Sequence, residues 1–209
     1  MDYSQEIAQA LLRIGAIGFC VESPITFTSG IKAPVYVDNR MFPFWPEQWR
    51  IVIDGFKQKI LEEHIDFDII VGIETAGIPH SSALAYAMGK PSVFVRKKPK
   101  EHGTKSKIEG GNVQGKRVLL IEDLVTTGGS SLAGVQALRE EGAVVADCLV
   151  ICTYEFSESR EAFQKAGVKL HALTSFEDIL QEAEKTAIIT TVEKEVVERW
   201  LQNPHDWGN

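Results

Sequence analysis

Cysteine is scarce in this chain. Its three thiols, Cys20, Cys148 and Cys152, give neither a disulfide framework nor a metal-binding spacing. Cys148 and Cys152 share one face of an expected strand, where a free thiol behaves as a small hydrophobe. The five histidines are scattered, and none belongs to the His-Glu-x-x-His pattern of a zinc hydrolase. No run approaches the ~20 apolar residues a membrane span needs. Met1 to Gln9 lacks the basic-then-apolar order of a secretory leader. Basic residues are outnumbered, 22 Lys and Arg against 29 Asp and Glu, so a net charge of −7 argues against a general nucleic-acid binder. Internal repeats, linkers and low-complexity segments are missing too. These absences leave a cytoplasmic α/β chain of 209 residues, sized for one domain, with no nucleic-acid or membrane partner.

What is present alternates between two periods. Apolar residues at helical spacing predict helices over Gln5–Ile14, from Pro46 to about His64, Ile78–Met88, Leu132–Glu141, Ser157–Ala166, Phe176–Glu184 and Val192–Leu201. Ile51, Phe56 and Ile60 would face inward on the second helix, and Val192, Val196, Val197, Trp200 and Leu201 on the last. Ser175 with Asp178 reads as a capping box. Continuous apolar runs predict buried strands at Asp68–Gly72, Ser92–Val95, Val118–Ile121, Val144–Cys152 and Lys169–Leu173. Such alternation implies right-handed βαβ units in a mostly parallel sheet. A short strand, Val35–Val37, follows turn residues and forms a hairpin-like element outside that sheet.

One stretch organises the rest. Val118-Leu119-Leu120-Ile121 ends in Glu122 and Asp123, then in the small and hydroxylated run Thr126-Thr127-Gly128-Gly129-Ser130-Ser131, then in a helix. In parallel sheets ligands sit off the carboxyl ends of strands. There Thr126 to Ser130 would turn N–H groups and hydroxyls toward a phosphate at a helix start. Glu122 and Asp123 are acceptors suited to a diol or a cation. A phosphate cradle beside a diol acceptor suggests a phosphorylated ribose; a strand, a turn and a capped helix with two solvated acids is the plainer alternative.

Two further segments bear on the choice. Ile73-Glu74-Thr75-Ala76-Gly77 repeats the strand–loop–helix arrangement, so a second anion could bind there. Residues 96–111 hold six Lys or Arg among sixteen, with Pro and Gly, and read as a mobile basic loop suited to closing over a polyanion. Gly110, Gly115 and Lys116 mimic nucleotide P-loop spacing, but Arg117 replaces the required Ser or Thr and a strand follows, so that reading fails.

The central stretch resembles the ribose-phosphate motif of the type I phosphoribosyltransferases. Ser29-Gly30 followed by Pro34, Tyr36, Asp38 and Arg40 resembles the hood signature of the orotate phosphoribosyltransferases. Arg96-Lys97, Lys100, His102-Gly103 and Ile108-Glu109-Gly110 resemble their catalytic loop. The resemblance implies a type I phosphoribosyltransferase-like α/β fold: a single domain over 1–209, with a small N-terminal hood at about 15–45 and a catalytic loop at about 97–111. It implies transfer from 5-phosphoribosyl 1-diphosphate to orotate in pyrimidine (UMP) biosynthesis, with Mg²⁺ held mainly by the substrate. Leu124, Val125, Thr126, Thr127, Gly128, Gly129 and Ser130 would bind the donor with Glu122 and Asp123, while Thr75, Ala76, Arg96, Lys97, Lys100 and His102 meet its diphosphate. Lys100, His102 and Asp123 would be catalytic, His102 as a general acid. Phe27, Lys32 and Thr126 are the expected orotate contacts, and a homodimer would share the catalytic loop between subunits. The chain departs from the family pattern at Thr28 and Tyr154, where some relatives carry Lys and Arg, and at Thr75 and Ala76, where many place a Lys. A purine phosphoribosyltransferase and a non-catalytic sensor of the donor are the competing readings. The sensor reading lacks a nucleic-acid module to act through.

Overall fold

The computed structural model describes residues 3–27, 29–98 and 106–207. Within it the chain forms two compact units, one taking the chain up to Ile51 and from Thr174 onward, the other Val52 to Leu173.

The first unit opens with α1 (Tyr3–Arg13), whose Ile7, Ala8, Ala10 and Leu11 are buried at helical spacing. Gly15 turns the chain with a positive φ of 70°. The short strands β1 (Ile17–Phe19), β2 (Ile25–Thr26), β3 (Lys32–Ala33) and β4 (Val35–Val37) then form two antiparallel pairs, β1 with β4 and β2 with β3. A 3₁₀ segment, Asn39–Phe44, leads into α2 (Pro46–Glu62), which passes into the second unit after Ile51. The chain returns to this unit with α6 (Phe176–Lys185) and α7 (Thr191–Gln202). Both begin in a complete capping box, Ser175 with Asp178 and Thr190 with Glu193. Gln9 donates to Glu182 at 2.9 Å and Ser4 to Asp178 at 2.8 Å, joining α1 to α6.

The second unit is the α/β layer. Its elements are β5 (Ile69–Ile73), α3 (Gly77–Met88), β6 (Ser92–Val95), β7 (Ile108–Glu109), β8 (Arg117–Val125), α4 (Gly129–Glu140), β9 (Val144–Thr153), α5 (Ser157–Ala166) and β10 (Lys169–Ser175), the last running past the unit's edge. Among the described residues six strands line up in the order β10-β9-β8-β5-β6-β7. β5 pairs in parallel with β6 and β8, and β8 with β9, while β7 runs antiparallel to β6. β8 and β5 are central, so their apolar runs are buried; Leu119, Leu120, Ile121, Ile70 and Val71 have no exposed surface. The mostly parallel sheet flanked by helices is the architecture expected from the alternating pattern. No helix among the described residues is long and apolar enough to cross a membrane.

Four expectations change. The basic segment is not loop throughout, because Ile108–Glu109 returns as β7. β8 continues through the acids to Val125, and α4 starts at Gly129 rather than Leu132, so Ser130 and Ser131 stand in its first turn. Val192 is 71% exposed, since a capping box places it at the start of α7, outside the packed face of Val197 and Trp200. On α2, Ile51 is only half-buried and Val52 and Ile53 take the core positions beside Phe56 and Ile60.

Candidate active site

The acids lie late in β8, in register with β9 at Glu122–Val150 and Leu124–Cys152. Glu122 is 5% exposed and Asp123 half-buried. The Asp123 N–H donates to Glu122 Oε1 at 3.2 Å. Burial, then the adjoining Asp123 charge, pushes the Glu122 carboxyl well above the ordinary carboxylate range, while the charge of Lys97 opposes that rise.

Beyond them the chain turns through Thr126 and Thr127, both half-buried, to Gly128 at φ 85°. A Cβ at Gly128 would meet the Phe163 ring edge at 3.0 Å, so α5 fills the space beneath this turn. Gly128 caps α4 without any side-chain bond, and its carbonyl accepts the Leu132 N–H at 2.9 Å. The N–H groups of the first turn therefore have no acceptor within the helix, and they carry its positive dipole end. Gly129 and Ser130 are exposed there.

The second predicted anion loop sits beside the first. A Cβ on Gly77 would stand 2.6 Å from the Ile121 carbonyl, and one on Gly72 would stand 2.3 Å from Ser81 Oγ. Helix α3 thus starts against the backbone of β8, one residue before Glu122. Its N-cap, Ala76, likewise offers no side-chain bond. Thr75 is exposed and Ala76 half-buried. The Glu74 N–H donates to the Val95 carbonyl and Glu74 Oε2 accepts the Lys97 N–H, both at 2.9 Å. Gly72, Gly77, Phe163 and the Glu74 contacts escaped sequence reading; only the shortage of bulk at Gly72 and Gly77 hinted at close packing.

The expected residues therefore fall into four groups. Glu122, Asp123, Leu124, Val125, Thr126, Thr127, Gly128, Gly129 and Ser130 come together with Thr75 and Ala76, and Lys97 is near enough for its charge to act on Glu122. The Arg96 guanidinium lies 3.5 Å from the Glu109 carboxylate, and the Arg96 main-chain N–H donates to the Lys107 carbonyl at 2.8 Å. Phe27 and Lys32 belong to the first unit. The Phe27 ring meets Trp200 edge-on at 6.0 Å between centroids, and the Lys32 carbonyl accepts the Trp200 indole N–H at 2.9 Å. Lys100 and His102, like Thr28, lie outside the described residues. Tyr154 is 4% exposed and stacks on Phe156 at 5.5 Å; its N–H donates to the Val125 carbonyl at 3.3 Å, next to Thr126.

Comparison with known proteins gives the same direction. A family model, the phosphoribosyl transferase domain, matches residues 45–183. The orotate phosphoribosyltransferase of Coxiella burnetii is 39% identical over 207 residues, 99% of each chain. Among solved structures, orotate phosphoribosyltransferase from Aeropyrum pernix superposes with a TM-score of 0.75 at 27% identity, over 88% of this chain and 99% of that one. UMP synthase of Leishmania donovani superposes with a TM-score of 0.82 at 28% identity, over 95% of this chain and 42% of that longer one. With the acid pair, the uncapped helix start and a likeness that runs the length of the relatives, the chain belongs to the phosphoribosyl transferase family, in its orotate phosphoribosyltransferase branch.

Proposed function

We propose that this chain catalyses transfer of the 5-phosphoribosyl group from 5-phosphoribosyl 1-diphosphate to orotate, giving orotidine 5-phosphate and diphosphate, a step of UMP biosynthesis. The observation that carries the reading is the pair Glu122–Asp123 on β8, set directly before the uncapped start of α4 and beside that of α3. The 5-phosphate is received by Thr126 to Ser130 and the ribose hydroxyls by Glu122 and Asp123. As the C1–O bond to diphosphate breaks, its electron pair leaves with the diphosphate. Positive charge develops on the ribose ring, where the Asp123 carboxylate stabilises it. A ring nitrogen of orotate forms the new bond to C1 and gives up its proton.

The diphosphate is met by the backbone at Thr75 and Ala76 and by the cations Arg96, Lys97 and Lys100, with His102 as proton donor. The hard oxygen donors of the site suit Mg²⁺, which would arrive on the donor's diphosphate and hydroxyls with Asp123 and Glu122 as its protein neighbours, and supplies charge neutralisation to the leaving group. Phe27, Lys32 and Thr126 are assigned to orotate. The whole chain is read as one phosphoribosyltransferase domain, with residues 15–45 as hood and 97–111 as catalytic loop, acting as a homodimer that shares the loop.

The test follows orotate absorbance after mixing purified chain, Mg²⁺ and the ribosyl diphosphate, with hypoxanthine, guanine and adenine in parallel. Loss of orotate that requires Mg²⁺ and fails in Lys100→Ala is the expected result. Turnover of a purine alone would overturn the acceptor assignment, and donor binding without turnover of any base would point to a sensor.

A further inference from the structure

An acid stands where a diphosphate is expected to bind. Glu74 lies in the β5–α3 loop directly before Thr75 and Ala76, the positions expected to meet the diphosphate. A carboxylate there repels the substrate, so its presence needs a compensating role.

The geometry supplies one. Three consecutive residues at the end of β6 are fixed by neighbouring backbone and by this carboxylate. The Val95 carbonyl accepts the Glu74 N–H at 2.9 Å, the Arg96 N–H goes to the Lys107 carbonyl at 2.8 Å, and the Lys97 N–H goes to Glu74 Oε2 at 2.9 Å. The last of these is the only one of the three made by a side chain. The Lys97 side chain is exposed, and the contact with Glu74 is made by its main-chain N–H. Glu74 thus spends its charge on a backbone N–H, and the cation beside it is left for the substrate.

We propose that Glu74 is a positioning residue: by accepting the Lys97 N–H it holds Lys97 where the diphosphate of the donor binds. The assignment rests on the phosphoribosyl transfer proposed above. Glu74 touches neither substrate nor reacting atoms in this role, so its removal weakens donor binding and leaves the acceptor site alone.

The experiment measures calorimetric affinity for the ribosyl diphosphate with Mg²⁺, and for inorganic diphosphate, alongside steady-state turnover of orotate by the full chain. Glu74→Ala is expected to weaken both affinities by roughly tenfold, the worth of one charge-assisted hydrogen bond, with KM for orotate unchanged. Glu74→Gln, whose amide oxygen accepts the same N–H, restores most of the loss. Glu74→Asp keeps the charge and the polarity but shortens the reach, so it behaves like Glu74→Ala, and it covers the case in which Glu74→Ala fails to fold. Lys97→Ala weakens donor binding, and adding Glu74→Ala to it costs nothing further, because both changes remove the same contact. Unchanged or tighter donor binding in Glu74→Ala and Glu74→Asp would overturn the proposal, as would a double variant that loses the product of the two single effects. A wild-type chain that binds the donor but converts no orotate would defeat the proposed function alone, since the affinity ratios would still decide the role of Glu74.

Discussion

The loops after β8 and β5 share one plan, strand then small residues then an uncapped helix, yet they solve opposite problems. After β8 the backbone leaves room: two threonines, a left-handed glycine and an exposed first turn of α4 follow the acids. After β5 the backbone closes up. Gly72 and Gly77 allow α3 to start against Ser81 and the Ile121 carbonyl, and the one acid of that loop is turned on a neighbouring N–H. One loop offers side-chain chemistry, and the other sets the distance between the chemistry and a second helix dipole. Identical local architecture therefore does not imply identical function; what a Cβ would strike separates the two.

Four substitutions sharpen or break this contrast. Asp123→Asn is expected to lower kcat by roughly 10²–10³-fold, the scale of losing one preorganised charge at a developing cation, with the melting temperature almost unchanged. Steady-state kinetics and a thermal melt check both halves, and a large drop in melting temperature would mean that the acids serve the fold. Gly77→Ala should do the reverse. Its Cβ, 2.6 Å from a main-chain oxygen, forces α3 off the sheet at a cost of about 3 kcal/mol, read by urea unfolding. Full stability in that variant would remove the packing half of the comparison.

Gly128→Ala falls between, because this glycine serves both ends. Its positive φ and the Phe163 ring at 3.0 Å together cost about 1–2 kcal/mol and raise KM for the ribosyl diphosphate. Phe163→Leu in the same chain should relieve the steric part and leave the backbone part.

Glu122→Gln gives a small stability effect, and pH shows its sign. A carboxyl raised above its ordinary 4.5 by burial holds its proton more tightly when folded. Its cost to the fold is absent below that value and grows as pH climbs through the folded one. Wild type and Glu122→Gln should melt alike at pH 4, and the variant should melt higher at pH 8, by roughly 2 °C. Equal melting at both values would mean that the Asp123 main-chain N–H and the charge of Lys97 together offset the burial of Glu122.

The sequence carried the strands and helices of the α/β layer because each apolar run is long enough to choose one period. It carried the capping box at Ser175–Asp178 because that device is local. The run from the acids to Ser130 was legible as one candidate stretch for the same reason: acids, threonines and glycines are adjacent in the chain. What it could not show depends on registers between distant segments. β7 has two residues and exists because β6 offers an edge to Ile108 and Glu109. Phe163 reaches Gly128 only once α5 has packed, and Glu74 meets Lys97 only once β5 and β6 lie side by side. Val192 misled the helical pattern because the Thr190 cap leaves it at the exposed start of α7.

The hairpin of β6 and β7 has one more consequence. Arg96 and Lys107 are tied by a main-chain bond, so whatever lies between them enters and leaves at a single closed gate. The entropy of bringing those ends together has already been met by the sheet, and doubling the length of the insert would add only about 0.6 kcal/mol. The sheet should therefore keep its stability when residues are inserted between Lys98 and Ser106, a change that urea unfolding of such a variant would read.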